Sequence, residues 1–137
     1  MNPADILIYG GSAGGGKTWW LLLEPIYHKA VAGFMAVMFR RTMPNITNAG
    51  SMWDQSTKLY PHADAKSNES NHHWTFPSGS RVEFASLQHD KSVLDWKSSE
   101  IAMIGFDQLE EFTEGQFWYM ISRNRSTCGV APYVRCT

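Results

Sequence analysis

Ile6-Leu7-Ile8-Tyr9 runs through Gly10 into Gly11-Ser12-Ala13-Gly14-Gly15-Gly16-Lys17-Thr18, and this stretch decides the fold. Four apolar residues make a short buried strand. The eight that follow have the pattern of a glycine-rich phosphate loop, two glycines separated by four residues and followed by Lys-Thr. At average residue frequencies the pattern arises by chance in roughly half a percent of chains this long. Its position, after a strand and before an apolar helical stretch, is where its chemistry requires it. Glycines let successive backbone N–H groups turn inward without a Cβ in the way, making a nest for phosphate oxygens. The helix start adds a favourable dipole. Lys17 is expected to reach the β- and γ-phosphates, and the Thr18 hydroxyl to ligate magnesium.

Outward from the loop, Thr18 to Ala32 reads as a helix with a kink or break at Pro25. Phe34 to Phe39 reads as a second strand that leaves at Arg40-Arg41. Strand, helix, strand is a βαβ unit, which favours a parallel sheet. Met43-Pro44-Asn45 breaks the pattern, and a helix is expected over 50–59, stopped before Pro61. His62 to His73 is polar and reads as a surface loop. His72-Trp74-Phe76 and Val82-Phe84-Ala85 flank Pro77-Ser78-Gly79-Ser80, the signature of a β-hairpin. Ile101 to Phe106 is a third buried strand ending in Asp107. Thr113 is expected to cap a helix over 114–123, and Tyr133 begins a further strand. The fold class is therefore α/β, a mostly parallel sheet flanked by helices with a β-hairpin insertion.

Composition limits the alternatives. The 137 residues fit one domain, and 43% hydrophobic residues with six tryptophans supply a real core. The formal net charge of −1 gives no global attraction to nucleic acid or anionic membrane. Cys128 and Cys136 have no zinc-site spacing, and no apolar stretch is long enough to span a bilayer, so a soluble, reduced protein with no membrane partner is expected.

A phosphate loop needs a carboxylate across the sheet, and Asp107, at the end of an apolar strand, is the candidate to share magnesium with Thr18. Gln108 follows, where a glutamate usually orients the attacking water. A glutamine can hold that water but cannot take its proton, so Glu110 and Glu111 are the nearby candidates for that task. The loop carries Ala13 and no arginine, so Arg123 and Arg125, which follow the expected helix, and Lys97 are basic residues that could meet the γ-phosphate as fingers, with a solvated surface charge as the alternative for each. Arg40 and Arg41, at a strand end on the loop's side of the sheet, are candidates for contact with DNA phosphates or a neighbouring subunit, with a structural ion pair as the alternative. Adjacent His72 and His73 point opposite ways on a strand and read as solvent-exposed rather than metal-binding.

Taken in order, Tyr9 to Thr18, Phe39-Arg-Arg-Thr42, Ile104-Gly-Phe-Asp-Gln-Leu-Glu-Glu-Phe112, Gln116 to Arg125 and Pro132 to Thr137 resemble the ATPase domain of phage terminase large subunits over essentially the whole chain. The resemblance implies a P-loop NTPase core of the additional-strand, catalytic-glutamate type, with the strand from Tyr133 lying between those that carry the loop and Asp107. It implies ATP and Mg²⁺ as ligands and hydrolysis coupled to packaging of double-stranded DNA. It further implies neighbouring motor subunits in a ring, portal and small terminase subunit as partners, and the cytoplasm of the infected bacterial host as the location. By the same resemblance, residues 1–137 are a partial ATPase domain, with an adenine-contacting segment upstream and a coupling motif and nuclease domain downstream. A helicase-like ATPase and a nucleotide-binding module with little turnover are the alternative readings.

Overall fold

The computed structural model describes residues 5–10 and 16–137. Its strands are β1 (Ile6–Ile8), β2 (Met35–Arg40), β3 (Lys66–Asn68), β4 (His73–Thr75), β5 (Arg81–Ser86), β6 (Met103–Phe106) and β7 (Tyr133–Cys136). The α-helices are α1 (Lys17–Leu23), α2 (Pro44–Thr47), α3 (Met52–Leu59) and α4 (Glu114–Ile121). Among the described residues the strands form one sheet in the order β1-β7-β6-β2-β5-β4-β3. The first five of these run parallel, and β4 and β3 add antiparallel at one edge. The strand from Tyr133 thus lies between β1 and β6, as the resemblance implies.

Strands β6 and β7 are buried at every position, and β2 at its four central ones, which requires cover on both faces. Alternation assigns the cover. Ala36, Met38, Met103 and Tyr133 join a core with Leu21 and Leu22 of α1, while Val37, Phe39, Ile104, Phe106, Val134 and Cys136 join a second core with Met120 of α4. One glycine sets how closely α1 approaches: a Cβ on Gly105 would collide with Met38 Sδ and sit 3.2 Å from Leu21 Cδ1. A side chain there would have to displace the Met38 thioether or the Leu21 side chain.

Four local readings change; β1, expected as a buried strand, has Ile6 44% and Ile8 59% exposed. The helix expected over 18–32 ends at Leu23 and continues as a 3₁₀ segment, Glu24–His28. Pro25 has no N–H to continue the α-helical ladder, and the tighter turn absorbs the loss. The expected break at Met43-Pro44-Asn45 is instead the start of the one-turn helix α2, with Pro44 at its first position. The polar stretch expected as a loop over 62–73 contains β3, whose residues are all exposed. It is held by backbone pairing to β4, so no apolar alternation marked it.

Residues 76–80 turn β4 back antiparallel beside β5, closed by Phe76 N–H donating to Ser80 O across 2.8 Å, with Gly79 at φ 94°. Trp53 and Trp74 pack with Tyr60 and Phe84 over this edge. His72 lies edge-on to Trp53, and His73 Nδ1 is 3.0 Å from Arg81 Nη2. No helix among the described residues is long and apolar enough to cross a membrane.

Candidate functional site

Register brings the site together. Ile8, Cys136, Phe106 and Phe39 are paired across β1, β7, β6 and β2. The next residue along each strand forms the row Tyr9, Thr137, Asp107, Arg40 at the carboxyl ends of the parallel strands. Backbone bonds from Tyr9 N to Cys136 O (2.8 Å), Thr137 N to Phe106 O (2.9 Å) and Asp107 N to Phe39 O (3.0 Å) keep that row in line. Asp107 continues the alternation of Met103 and Gly105, so its side chain falls on the face that α1 covers.

Asp107 is 3% exposed and its two oxygens have different partners. Oδ1 accepts from the Thr137 hydroxyl at 2.6 Å. Oδ2 faces the Thr18 hydroxyl at 3.5 Å and Arg40 Nη1 at 3.3 Å. Thr18 is delivered by the first turn of α1, entered through Gly16 at φ 75° and closed by Trp20 N donating to Gly16 O. Gly16, Lys17, Thr18, Trp19, Gln55, Asp107 and Gln108 line a cleft of about 330 Å³. Gln108 adopts a left-handed backbone, φ 61° and ψ 64°, which is strained for a residue with a Cβ. Its N–H donates to Thr137 Oγ1 at 3.4 Å, so Thr137 braces both residues.

Around this centre, Glu110 and Glu111 lie exposed on a 3₁₀ turn, Leu109–Glu111. Glu111 Oε1 accepts from Arg40 Nη2 at 3.2 Å, the ion pair that was the alternative to a DNA or subunit contact. Arg41 points to the other face, where Nη1 donates to Gln116 Oε1 at 2.7 Å. Gln116 is itself buried, completes the capping box with Thr113, and donates to the carbonyls of Leu87 and His89. Gly11, Ser12, Ala13, Gly14 and Gly15 lie outside the described residues.

The three finger candidates are at the opposite end of the strands. Arg123 O accepts from Ile101 N just before β6, and Arg123 Nη1 donates to the Lys97 carbonyl. Arg125 lines a small cavity with Gly33, Glu100 and Ala102, which precede β2 and β6. Helix α4 carries Arg123 and Arg125 back to the start of the sheet, and Lys97 lies there because it precedes β6. Within one chain they are not gathered with Asp107.

Sequence reading missed a buried ion pair that ties the segment directly after α1 to the sheet. Arg135 of β7 (1% exposed) donates from Nε to Glu24 Oε1 at 3.1 Å, directly after α1. Its guanidinium lies 4.5 Å over the Tyr133 ring. Burial first, and then the Glu24 charge, raises the Tyr133 phenol above its ordinary value. Burial pushes the Cys136 thiol up to about 12, so it is a core group and no nucleophile.

The family described as terminase large subunit, T4likevirus-type, N-terminal, matches residues 8–137. Among solved structures, the large terminase of a thermophilic bacteriophage superposes with a TM-score of 0.76 at 13% identity, over 98% of this chain and 34% of that one. The same phage's large terminase in complex with ADP gives 0.70 at 14% identity, over 96% and 33%. The N-terminal domain of the DNA packaging ATPase from bacteriophage phi29 gives 0.62 at 13% identity, over 96% and 71%. Identities this low show a shared fold, and the chain spans about a third of the length of the thermophilic phage protein. No curated protein sequence matches the chain.

Proposed function

The chain belongs to the N-terminal family of T4-like terminase large subunits, and from that premise we propose that it binds ATP with magnesium and hydrolyses it to drive double-stranded DNA into a capsid. The observation that carries this reading is the meeting of Thr18 and Asp107, whose oxygens are 3.5 Å apart at the mouth of the cleft. They come from sequence positions far apart and from the two elements that the phosphate-loop chemistry requires.

The donors fit magnesium. A hydroxyl and one carboxylate oxygen are hard ligands of the kind that hold this ion together with water and substrate phosphates. Among the described residues no group of three or more His, Cys, Asp or Glu gathers as a cage, which suits an ion completed by the nucleotide. Thr18 and Asp107 Oδ2 would hold it, and it would neutralise charge on the β- and γ-phosphate oxygens. The glycine pattern of residues 11–16 is the expected source of backbone donors to the phosphates, and Lys17 of the charge that balances them. Asp107, fixed through Oδ1 by Thr137, keeps its other oxygen turned to the cleft. Gln108 positions a water, and Glu110 or Glu111 takes its proton.

The family context extends the proposal to neighbouring subunits in a ring around DNA, to portal and small terminase subunit, and to the cytoplasm of the infected host. The structures similar to this chain include a phi29 genome packaging motor assembly, which supports that setting. In such a ring Arg123, Arg125 or Lys97 would act from one subunit on the next, and Arg41 is the remaining candidate for DNA or subunit contact. A second reading, nucleotide binding with little turnover, is favoured by Gln108, which cannot act as a base.

Calorimetry of Mg·ATP binding to the chain and to Lys17→Ala tests the reading. Binding that the substitution abolishes is the expected result. A folded chain that binds no nucleotide, or a variant that binds as the parent does, overturns it.

A further inference from the structure

Arg40 ends β2, one strand over from Asp107, and its guanidinium spans two carboxylates. Nη1 lies 3.3 Å from Asp107 Oδ2, and Nη2 lies 3.2 Å from Glu111 Oε1. Only 18% of the side chain is exposed, against 39% for that of Glu111. The fork is therefore held in place on its inner edge and open to solvent on its outer one. Asp107 Oδ2 is also the oxygen that faces Thr18, because Oδ1 is taken by Thr137. Arg40 thus places a fixed positive charge beside the one carboxylate oxygen that a metal would use, while Arg123, Arg125 and Lys97 stand at the other end of the strands.

We propose that Arg40 is a specificity-determining residue that makes the cleft prefer a nucleoside triphosphate to a diphosphate. The inference rests on the nucleotide-binding reading given above. A divalent cation on Asp107 Oδ2 is a near neighbour of the guanidinium, and like charges repel strongly in a partly desolvated cleft. With a diphosphate, no anion lies beyond the metal to offset that repulsion. In a triphosphate complex the terminal phosphate, its charge neutralised by a metal held by Thr18 and Asp107 Oδ2, would lie on the Asp107 side of the cleft. Its oxygens then give the guanidinium an anionic partner that matches its fork. Arg40 penalises the diphosphate complex and stabilises the triphosphate one. Glu111 opposes this preference, because it occupies one edge of the fork with a competing carboxylate.

The test is a calorimetric comparison of Mg·ADP and a magnesium complex of a non-hydrolysable ATP analogue, for the parent chain, Arg40→Gln and Glu111→Gln. The affinity ratio of analogue to ADP is expected to fall by roughly tenfold in Arg40→Gln, the order of one charge-assisted hydrogen bond. Analogue binding weakens and ADP binding tightens. In Glu111→Gln the ratio is expected to rise. An unchanged ratio in Arg40→Gln, or equal weakening for both nucleotides, overturns the proposal and leaves Arg40 a structural brace. Should Arg40→Gln fail to fold by circular dichroism, Glu111→Gln decides, and a ratio that does not rise overturns it. A parent chain that binds neither nucleotide refutes the nucleotide-binding reading and this proposal with it, whereas binding of both with an intact ratio in Arg40→Gln refutes only the role of Arg40.

Discussion

Thr137 donates its hydroxyl to Asp107 Oδ1 across 2.6 Å, and the hydroxyl oxygen accepts the Gln108 N–H at 3.4 Å. One residue past the end of β7 therefore sets the carboxylate and the strained backbone beside it. Thr137→Val keeps the shape and removes the hydroxyl, leaving a buried carboxylate oxygen without its donor. A loss of about 1–3 kcal/mol in stability is expected from that desolvated group. Mg·ATP affinity is expected to fall as well, since Asp107 is no longer held, and Thr137→Ser should restore both. Urea denaturation and calorimetry on the same samples check it. Affinity unchanged in the valine variant would show that Asp107 needs no brace.

Gly105 governs the distance between α1 and β6. Gly105→Ala drives a methyl into Met38 Sδ and to 3.2 Å from Leu21 Cδ1. Overpacking of this kind costs about 1–3 kcal/mol, and the relief available, lifting α1, carries Thr18 away from Asp107. Stability and Mg·ATP affinity are expected to fall together. Met38→Ala in the same chain makes room and should recover part of the stability lost in Gly105→Ala. A double variant no more stable than Gly105→Ala alone would rule out the contact with Met38 as the cause.

Asp107 at the end of a buried strand, and the helix that begins at Lys17, were legible in the sequence because each is a local pattern in its required setting; the reading of Gly11 to Gly15 lies outside the described residues. The capping box of α4 was half legible for the same reason, through Thr113. What stayed hidden depends on which strands become neighbours. Arg40 meets Asp107 across 67 residues, and Glu24 meets Arg135 across 111. Neither pairing has a short-range signature, and nothing in the composition of β7 announces that its arginine is buried. The resemblance put the strand from Tyr133 between β1 and β6, but the consequence for Thr137 required side-chain geometry. Arg123 and Arg125 lie away from Asp107 within one chain because α4 runs back along the sheet, and Lys97 because it precedes β6.

Glu24 and Arg135 are both almost fully enclosed, so removing one partner strands a charge. Arg135→Met is expected to cost about 3–5 kcal/mol by leaving Glu24 unpaired. Adding Glu24→Leu to that variant should restore much of the loss, because two apolar side chains can replace a buried ion pair at little cost. A double-mutant cycle by urea denaturation measures the coupling. Additive losses would mean the two side chains contribute independently, against the contact seen here.

His28 stacks at 4.8 Å from the Phe34 ring and 5.7 Å from that of Tyr133. Burial lowers its pKa from the ordinary 6.5, and the Glu24 charge only partly opposes that. The unfolded chain therefore binds the extra proton first as pH falls through 6.5, so this group subtracts stability on the acid side and is neutral in effect above it. His73 is shifted the same way by burial, then by Arg81. In His28→Phe, the stability lost between about pH 7.5 and about pH 5.5 is expected to be smaller than in the parent. Denaturation curves at the two values check this, and an equal loss in both proteins would remove His28 from the account.

Gln108 lines the cleft immediately after Asp107, in a left-handed backbone. An amide there can orient a water through its oxygen and nitrogen but has no site for the proton. Gln108→Glu supplies one without altering length or branching. General-base assistance is worth about 10²–10⁴ in rate; because Glu110 or Glu111 already serves as the base in the proposed reading, Gln108→Glu is expected to raise Mg·ATP turnover by only part of that range, with nucleotide affinity little changed. The parent's own turnover then depends on a carboxylate further along the turn. Glu110→Gln and Glu111→Gln separate the two, because Glu111 is already engaged by Arg40 at 3.2 Å and Glu110 has no ion pair within the described residues. The larger loss of turnover is therefore expected from Glu110→Gln. A Gln108→Glu variant that binds nucleotide as the parent does, yet turns over no faster, would assign the proton to one of those two glutamates and leave Gln108 the positioning of water alone.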